Sequence, residues 1–364
     1  MKGHTQKLMP IFVQFLLRRF LIIPFSLFVI TLILYGGVML TPPEARAELY
    51  MPKTARVLTD EQYERLRNLI IKRYHLRDPF YIQYSYWIKS LLQGTWGYSP
   101  NLKDEVLPAL LRRTPVTLEL ALYSLILFIP LGIVSGLGAG WKPKQSFDNI
   151  FRPLAYISTS MPTFILAMVL LALFYVNLRW FPPERISLTY SFQIHEPTFR
   201  NLTGMLTIDS LLNGRFDIFI DSLRHLAMPV FTLSIYHWAT LSRVIRATVM
   251  GEKTKEYIIS ARARGLTEQK VLWKHAFRNV LAPALTSVGI SAASILSGVF
   301  IIEIIFNFKG ISEVIVTSLS GPPDAPAALG FAIYSVILIL LLMFFLDVLQ
   351  AILDPRVREE VLKS

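Results

Sequence analysis

"EYIISARARGLTEQKVLWKHAFRNVLAP", residues 256–283, separates two long apolar stretches, and its pattern decides how the rest of the chain is interpreted. It carries too many charges for the interior of a lipid bilayer. Residues 252–264 favour a helix, and Gly265 is the residue type best able to take the left-handed conformation that ends one. Thr267 is a typical N-cap, and Glu268 suits the positive end of a second helix. The stretch is therefore predicted to form a helix, a glycine turn and a second helix.

The composition of the whole chain indicates a membrane protein. Of 364 residues, 53% are hydrophobic and 17% charged, with a mean hydropathy of +0.47, whereas about 25% charged residues are usual in soluble domains. The chain has no cysteine, which excludes disulfides, thiolate metal sites and a cysteine nucleophile. A net charge of +12 comes without zinc-finger spacing, an RNA-binding sheet motif or a basic tail, so no nucleic-acid partner is expected.

Six apolar windows are each about as long as a membrane-spanning helix, which needs roughly 20 residues. The six predicted spans are residues 20–40, 114–138, 153–178, 225–246, 280–305 and 325–352. The first window could instead be a signal peptide. That alternative is disfavoured because the apolar run exceeds a signal core and no small-residue cleavage site closes it.

The distribution of Lys and Arg predicts the orientation, because cytoplasmic loops are enriched in these residues. The basic segments assigned to the cytoplasm are the N-terminus 1–19 with Lys2, Lys7, Arg18 and Arg19, the loop 139–152, the coupling loop 247–279 and the tail 353–364 with Arg356, Arg358 and Lys363. The loops assigned to the opposite side are 41–113, which contains amphipathic helices, 179–224 and 306–324. The first of these is also rich in basic residues, but long loops are a weak guide to orientation.

The segment from 253 to 278 combines seven Lys or Arg with two Glu and several apolar residues. Two kinds of partner fit such a pattern. Anionic lipid headgroups would attract its basic and aromatic residues. Its small residues, Ser260, Ala261, Ala263 and Gly265, favour a protein groove, because they let another backbone come close.

The same segment carries a family resemblance. "EYIISARARGLTEQKVLWKHAFRN" resembles the cytoplasmic loop of the permease subunits of binding-protein-dependent ABC importers of the oligopeptide/dipeptide type. The matching positions are Tyr257, Ala261, Arg262, Ala263, Gly265, His275 and Asn279. Further similarity follows in family order, including "RRTPVTLELALYSLILFIPLGIVSGLGAG" for the second span and "DVLQAILDPRVR" for the C-terminus.

Three positions in two segments depart from the family pattern. Ile259 occupies the place of the Glu that other ABC importer permeases carry six residues before the loop glycine. In "NFKGISEV", residues 307–314, Lys309 replaces a proline and Ser312 replaces a glycine of the usual outer turn. Contact through a Glu and the shape of that turn are therefore not carried over from the family.

The resemblance implies an all-α polytopic membrane protein with six transmembrane helices, both termini in the cytoplasm, and the type I ABC importer permease architecture. Such a chain would form half of an ATP-driven translocation pathway for peptides or similar solutes. Its expected partners are a second homologous permease, two ABC ATPase subunits, an extracytoplasmic solute-binding protein and membrane lipid. The implied location is the bacterial or archaeal cell (inner) membrane, which the chain would cross several times.

ATP and Mg are expected on the partner ATPases, with no cofactor and no catalysis in this chain. A P-loop requires Gly-Lys followed by Ser or Thr, and the Gly-Lys dipeptide does not occur here. The resemblance places the coupling to the ATPases in the 252–279 loop. The residues predicted to take part are Glu256, Tyr257, Ala261, Arg262, Ala263, Gly265, Val271, Leu272, His275 and Asn279. Neither the substrate nor the residues lining the pathway are predicted.

The outer regions allow two interpretations. Residues 60–92 have helical apolar spacing and end in an aromatic-rich stretch, which is typical of a helix at the membrane interface. Together with the 179–224 loop, they are alternatively expected to receive the solute-binding protein.

A self-sufficient secondary transporter or channel is the rival class, and it would use ionisable groups within the membrane. The candidates are Glu119, Glu303, Asp347 and His237. The three carboxylates are equally consistent with positions near the membrane surfaces, and the histidine with a packing role. Pro130, Pro162 and Pro229 are expected to kink spans two, three and four.

Overall fold

The computed structural model describes residues 5–48, 59–321 and 324–353, and most of them are α-helical. The helices in chain order are α1 (Thr5–Met39), α2 (Pro43–Glu48), α3 (Asp60–Arg73), α4 (Phe80–Leu92), α5 (Val106–Trp141), α6 (Ser146–Ser160), α7 (Thr163–Leu170), α8 (Leu188–Ser191), α9 (Leu206–Leu212), α10 (Phe216–Glu252), α11 (Glu256–Ala263), α12 (Glu268–Lys270), α13 (Phe277–Ile305), α14 (Ser312–Leu319) and α15 (Ala325–Leu353). Predictions that concern Lys2, Arg356, Arg358 and Lys363 lie outside the described residues.

Within the described residues, five helices are long and apolar enough to cross a membrane, and the number is six if a bent helix pair counts as one span. The five are Leu16–Met39, Val106–Trp141, Phe216–Glu252, Glu268–Ile305 and Ala325–Leu349. Four of these helices begin before the predicted spans, at residues 16, 106, 216 and 268. Hydropathy marks only the apolar part of a helix, whereas backbone hydrogen bonding continues into its polar ends.

The bent pair consists of α6 and the helix Thr163–Asn177, which meet at an angle of 101°. Met161 has an extended backbone, and Pro162 precedes the first residue of α7. Proline disfavours a helical conformation in the residue before it and has no N–H to donate. The predicted kink at Pro162 is therefore a complete break, whereas Pro130 and Pro229 lie within continuous helices.

The chain divides into two compact units, and the larger is built mainly from Pro115–Gly310. Its apolar core is shared by α5, α7, α10 and α13. Leu120, Ile302 and Phe306 are completely buried there. Leu120 lies in α5, whereas Ile302 and Phe306 lie at the end of α13, so burial of their apolar surface holds two sequence-distant helices together.

Within this unit, α5 packs on α10 through a row of glycines spaced four residues apart. A Cβ atom added to Gly136 would approach the Ser242 carbonyl oxygen to 2.6 Å, and one added to Gly140 would approach the Arg246 carbonyl to 2.8 Å. No side chain fits at such distances. The row is a small-residue seam of the kind that lets membrane helices approach closely.

The smaller unit is built from Leu17–Thr114 and Ile311–Leu340. The predicted helical character of residues 60–92 is confirmed by α3 and α4. A two-stranded antiparallel hairpin, β1 (Tyr98–Ser99) with β2 (Asp104–Glu105), precedes α5. Ser99 Oγ donates to Asp324 Oδ2 at 2.5 Å, which ties this hairpin to the start of α15.

Candidate coupling element

Residues 252–279 contain the predicted helix, turn and helix, but the first helix begins at Glu256 and not at residue 252, which is still part of α10. We call residues 252–279 the coupling element. Helix α11 ends at Ala263, and Gly265 has a φ of +76°. Its N–H donates to the Arg262 carbonyl at 2.9 Å. An added Cβ at Gly265 would meet nothing within 4 Å, so the glycine is required for its backbone conformation and not for space.

The second helix starts where the sequence predicts. The Thr267 side chain accepts a hydrogen bond from the Lys270 N–H at 3.5 Å, which makes it the N-cap. Helix α12 continues through a π-helical stretch, Val271–Ala276, into α13. The backbone is thus helical from Glu268 to Ile305. A displacement of the coupling element can therefore reach the following span without crossing a loop.

Three side chains connect the two ends of the element. The Tyr257 hydroxyl donates to the Glu252 carboxylate, and Asn279 Nδ2 donates to the Tyr257 hydroxyl at 2.8 Å and to Glu252 Oε2 at 3.3 Å. We call this group the brace. Burial, reinforced by the hydrogen bond to Glu252, raises the pKa of the Tyr257 phenol. The brace joins the last residue of α10 to α11 and to the first turn of α13.

A second set of contacts attaches the element to the end of α5. The Arg262 guanidinium lies 5.4 Å from the centre of the Trp141 ring and donates through Nε to Glu268 Oε1 at 2.8 Å. Lys253 Nζ lies at the same distance from that ring and donates to the Trp141 carbonyl at 2.5 Å. Cation–π contacts and hydrogen bonds together hold the turn of the coupling element against Trp141 at the end of α5.

The residues predicted to contact the ATPases fall into three groups by their exposure. Ala261 and Val271 are completely buried, so their surfaces are used within this chain. Half-buried members are Tyr257, Arg262, Leu272, His275 and Asn279, and exposed members are Glu256, Ala263 and Gly265. Only the last group, with the accessible parts of the second, is available to another protein.

Three residues of the coupling element are absent from the residues predicted to contact the ATPases. Glu252 holds the brace, and no local pattern indicates its pairing with Asn279, 27 positions away. Ile259 and Trp273 are 56% and 51% exposed despite being large and apolar.

The buried carboxylate Glu119 has a complete set of partners. It is 1% exposed and accepts from Arg185 Nη2 at 2.7 Å and from the Thr207 N–H and hydroxyl at 2.8 and 2.7 Å. We call this group the outer lock. A carboxylate paired in this way is a structural anchor for the 179–224 loop.

The other ionisable candidates also have structural surroundings. Glu303 is completely buried and accepts from the Thr117 hydroxyl at 2.5 Å. His237 is 6% exposed, with its ring 5.7 Å from that of Phe128 and 5.2 Å from that of Tyr236. Asp347 lies in α15. The surroundings of His237 agree with the packing role given above.

The turn after α13 takes its shape from Asn307, which precedes the positions where Lys309 and Ser312 depart from the family's run. Asn307 has a φ of +55°, and the Phe308 N–H donates to the Glu303 carbonyl at 2.8 Å. This is the pattern of a left-handed helix end, which asparagine tolerates. Gly310 lies so close to the Glu303 carboxylate that a Cβ there would overlap it.

Comparison with known proteins identifies the family. A family model described as "Binding-protein-dependent transport system inner membrane component" matches residues 129–359. A di/tripeptide transport system permease protein of Pseudomonas aeruginosa is 31% identical over 349 residues, covering 95% of this chain and 99% of the relative. An oligopeptide transport system permease protein of Bacillus subtilis is 31% identical over 292 residues, covering 80% of this chain and 84% of the relative.

A dipeptide transport system permease protein of Escherichia coli is 28% identical over 348 residues, again covering 95% of this chain and 99% of the relative. The expected all-α, multi-pass fold of a type I importer permease is confirmed by this family match together with the helices described above. The chain belongs to the family of inner membrane components of binding-protein-dependent transport systems.

Proposed function

We propose that this chain is one of two permease subunits of an ATP-driven peptide importer and forms half of its translocation pathway. The support for a peptide substrate is the names of the relatives, which are di/tripeptide, oligopeptide and dipeptide permeases aligned over most of their length. The family description and the bacterial relatives support the inner membrane of a bacterium. They lend no support to the archaeal alternative.

The coupling element is the proposed contact with an ABC ATPase subunit. The observation that carries this proposal is the brace, because it makes a short helix rigid between two spans. Helix α11 is bonded through Tyr257 to the end of α10 and to the start of α13. Pushing such a helix moves both spans, whereas a mobile loop would absorb the displacement.

The accessible surface of the element suits a protein groove. Ile259 and Trp273 offer apolar area, while the exposed small residues Ser260, Ala263 and Gly265 leave room for a close approach. Ile259 takes the place of the family's Glu, so an apolar contact replaces an ionic one at that position. The partners would be two ATPases carrying ATP and Mg, a second permease and an extracytoplasmic binding protein.

The orientation follows from the predicted topology. With the coupling element in the cytoplasm, helices α3, α4, α8 and α9 belong to the opposite side. We propose that these outer helices receive the solute-binding protein. Deleting α3 and α4 should abolish stimulation of ATP hydrolysis by the loaded binding protein, and full stimulation would contradict this assignment.

The test is purification of the tagged chain with its co-expressed ATPases and second permease, followed by dipeptide uptake into proteoliposomes. Uptake should require ATP on the cytoplasmic side and the binding protein on the outer side. A Trp273→Glu, Ile259→Glu double variant should lose the ATPases while retaining the second permease. Leu319 in α14, which is 73% exposed and lies outside both proposed contact surfaces, supplies the matched control as Leu319→Glu. Uptake by the chain alone, without ATP, would refute the proposal in favour of a self-sufficient transporter.

A further inference from the structure

A cavity of about 380 Å³ lies in the smaller unit, between the last turns of α1, helix α4 and the first turns of α15. Its walls are largely apolar and aromatic, with Tyr35, Val38, Trp87, Leu329 and Ile333 among them. The Tyr35 and Trp87 rings stack at 4.7 Å. These residues lie where two spans end, which is the level of the bilayer occupied by lipid headgroups.

A buried cation lines this cavity. Arg46 in α2 is 4% exposed. Its guanidinium donates to Gln83 Oε1 at 2.8 Å, to the Leu76 carbonyl at 2.8 Å and to Met39 Sδ at 3.0 Å. All three acceptors are neutral, and Nε has no hydrogen-bond partner in the described part of the chain.

No carboxylate balances this charge among the described residues that line the cavity. The other basic groups in the walls are Arg73 and His75. His75 Nδ1 pairs with Asp78 at 2.7 Å, and its ring stacks on that of Tyr86 at 4.7 Å. A buried guanidinium with neutral partners is strongly disfavoured unless an anion accompanies it. The cavity therefore has room for an anion and a need for one.

We propose that the cavity binds the phosphate group of a membrane phospholipid, with Arg46 as its cationic anchor. A guanidinium presents planar donors that match phosphate oxygens. The phosphodiester supplies one negative charge, and the apolar walls accommodate the glycerol and the first carbons of the acyl chains. In the topology proposed above, this lipid belongs to the outer leaflet.

A free anion would satisfy the charge but would leave the apolar walls in contact with water. The walls come from α1 and α15, which are membrane-spanning helices by length and composition, so their outer surfaces already contact lipid. A phospholipid satisfies both the charge and the apolar surface. This argument selects lipid phosphate over inorganic phosphate as the occupant.

The test is native mass spectrometry of the full chain, purified with its partner subunits and then delipidated. The probes are a phosphatidylglycerol and the diacylglycerol with the same acyl chains, which lacks the phosphate. The wild-type protein should retain one phosphatidylglycerol and release the diacylglycerol. Arg46→Gln should lower phosphatidylglycerol retention by roughly tenfold or more, because a charged hydrogen bond is lost.

The matched control is Arg77→Gln, since Arg77 is near in sequence but its side chain is 63% exposed, pairs with Glu44 and does not line the cavity. The Arg77→Gln variant should retain as much phosphatidylglycerol as the wild type. Equal retention by Arg46→Gln, with an unchanged unfolding temperature, would overturn the proposal. So would equal retention of the diacylglycerol by the wild type.

A second experiment does not require removal of Arg46. The chain has no cysteine, so Ser90→Cys places a single thiol in the cavity wall. A phospholipid with a thiol-reactive headgroup should label the thiol introduced by Ser90→Cys but should not label that of the exposed control Thr198→Cys. Excess phosphatidylglycerol should prevent the labelling, and inorganic phosphate should not. Prevention by inorganic phosphate alone would show that a free anion occupies the site and would overturn the lipid assignment.

Discussion

The brace and the outer lock each contain one carboxylate that accepts hydrogen bonds from distant parts of the chain. The closest donors to the two carboxylates differ in charge. Glu119 in the lock is 1% exposed and paired with Arg185 at 2.7 Å. Glu252 in the brace is half-buried, and its closest partners are the neutral donors Tyr257 and Asn279, with Lys255 Nζ farther away at 3.9 Å. Separating a buried ion pair costs more than separating hydrogen bonds from neutral donors at a partly wet site. Breaking the lock is therefore expected to destabilise the protein more than breaking the brace.

The largest expected effect comes from breaking the lock. Arg185→Met leaves the Glu119 charge buried beside Thr207 alone, which should lower the free energy of unfolding by about 3–5 kcal/mol. Thermal unfolding of the purified protein in detergent measures this loss. Arg200→Met at an exposed position should leave the unfolding temperature unchanged. A lock variant as stable as this control would show that the two carboxylates do not differ in the way described.

The coupling element should lose function before it loses stability. Gly265→Pro cannot adopt a φ of +76° and removes the N–H that donates to Arg262. Normal membrane levels are expected, with dipeptide uptake reduced by roughly tenfold or more because the turn no longer presents α11 to the ATPase. Gly251→Ala is the control, since Gly251 is helical and an added Cβ there meets nothing within 4 Å. Unchanged uptake by Gly265→Pro would contradict the coupling role of the turn.

A smaller effect is expected from removing one hydroxyl of the brace. Tyr257→Phe should lower the free energy of unfolding by only about 1 kcal/mol, and it should lower transport per ATP hydrolysed more than it lowers stability. In a double-mutant cycle with Asn279→Ala, the two changes should be non-additive by at least about 0.5 kcal/mol. Tyr156→Phe, at a 70% exposed tyrosine, is the control. Strict additivity would show that the brace does not act as a unit.

The smallest effect is a pH dependence of the brace. The folded-state pKa of Tyr257 is raised above its unfolded value, first by burial and then by Glu252. Its contribution to stability is therefore complete below the unfolded pKa of about 10 and is lost as the pH rises through the raised folded value. Ultraviolet titration of wild type and Tyr257→Phe should reveal one phenol that ionises late. A difference between the two titration curves with its midpoint at the ordinary tyrosine pKa of about 10 would contradict the burial of the Tyr257 hydroxyl.

What the sequence predicted well was local. The Gly265 turn and the Thr267 cap depend on residues a few positions apart, and both are confirmed. The break at Pro162 was predicted only as a kink, because proline chemistry gives the position of a bend and tertiary packing gives its angle.

The non-local features were not predicted. Glu252 becomes part of the candidate site only because α10 and α13 bring it to Asn279. Gly136 and Gly140 are visible in the sequence as a glycine-rich run, but their need for close helix contact follows from Arg246 and Ser242 on α10. Ala261 belongs to the predicted coupling motif, yet its complete burial gives it a packing role within the chain. Pairing between distant helices is set by the fold as a whole and leaves no local pattern.

The unbroken helix from Glu268 to Ile305 has a mechanical consequence. Its 38 residues make a rod about 57 Å long. When a rod of that length rotates by about 5° about one end, the other end moves about 5 Å, which is nearly the rise of one helical turn. The π-helical stretch Val271–Ala276 lies near the end of the rod that begins at Glu268. If an ATPase pushes on that end, as proposed above, a small change in tilt would become a displacement of that size at the opposite end of the span.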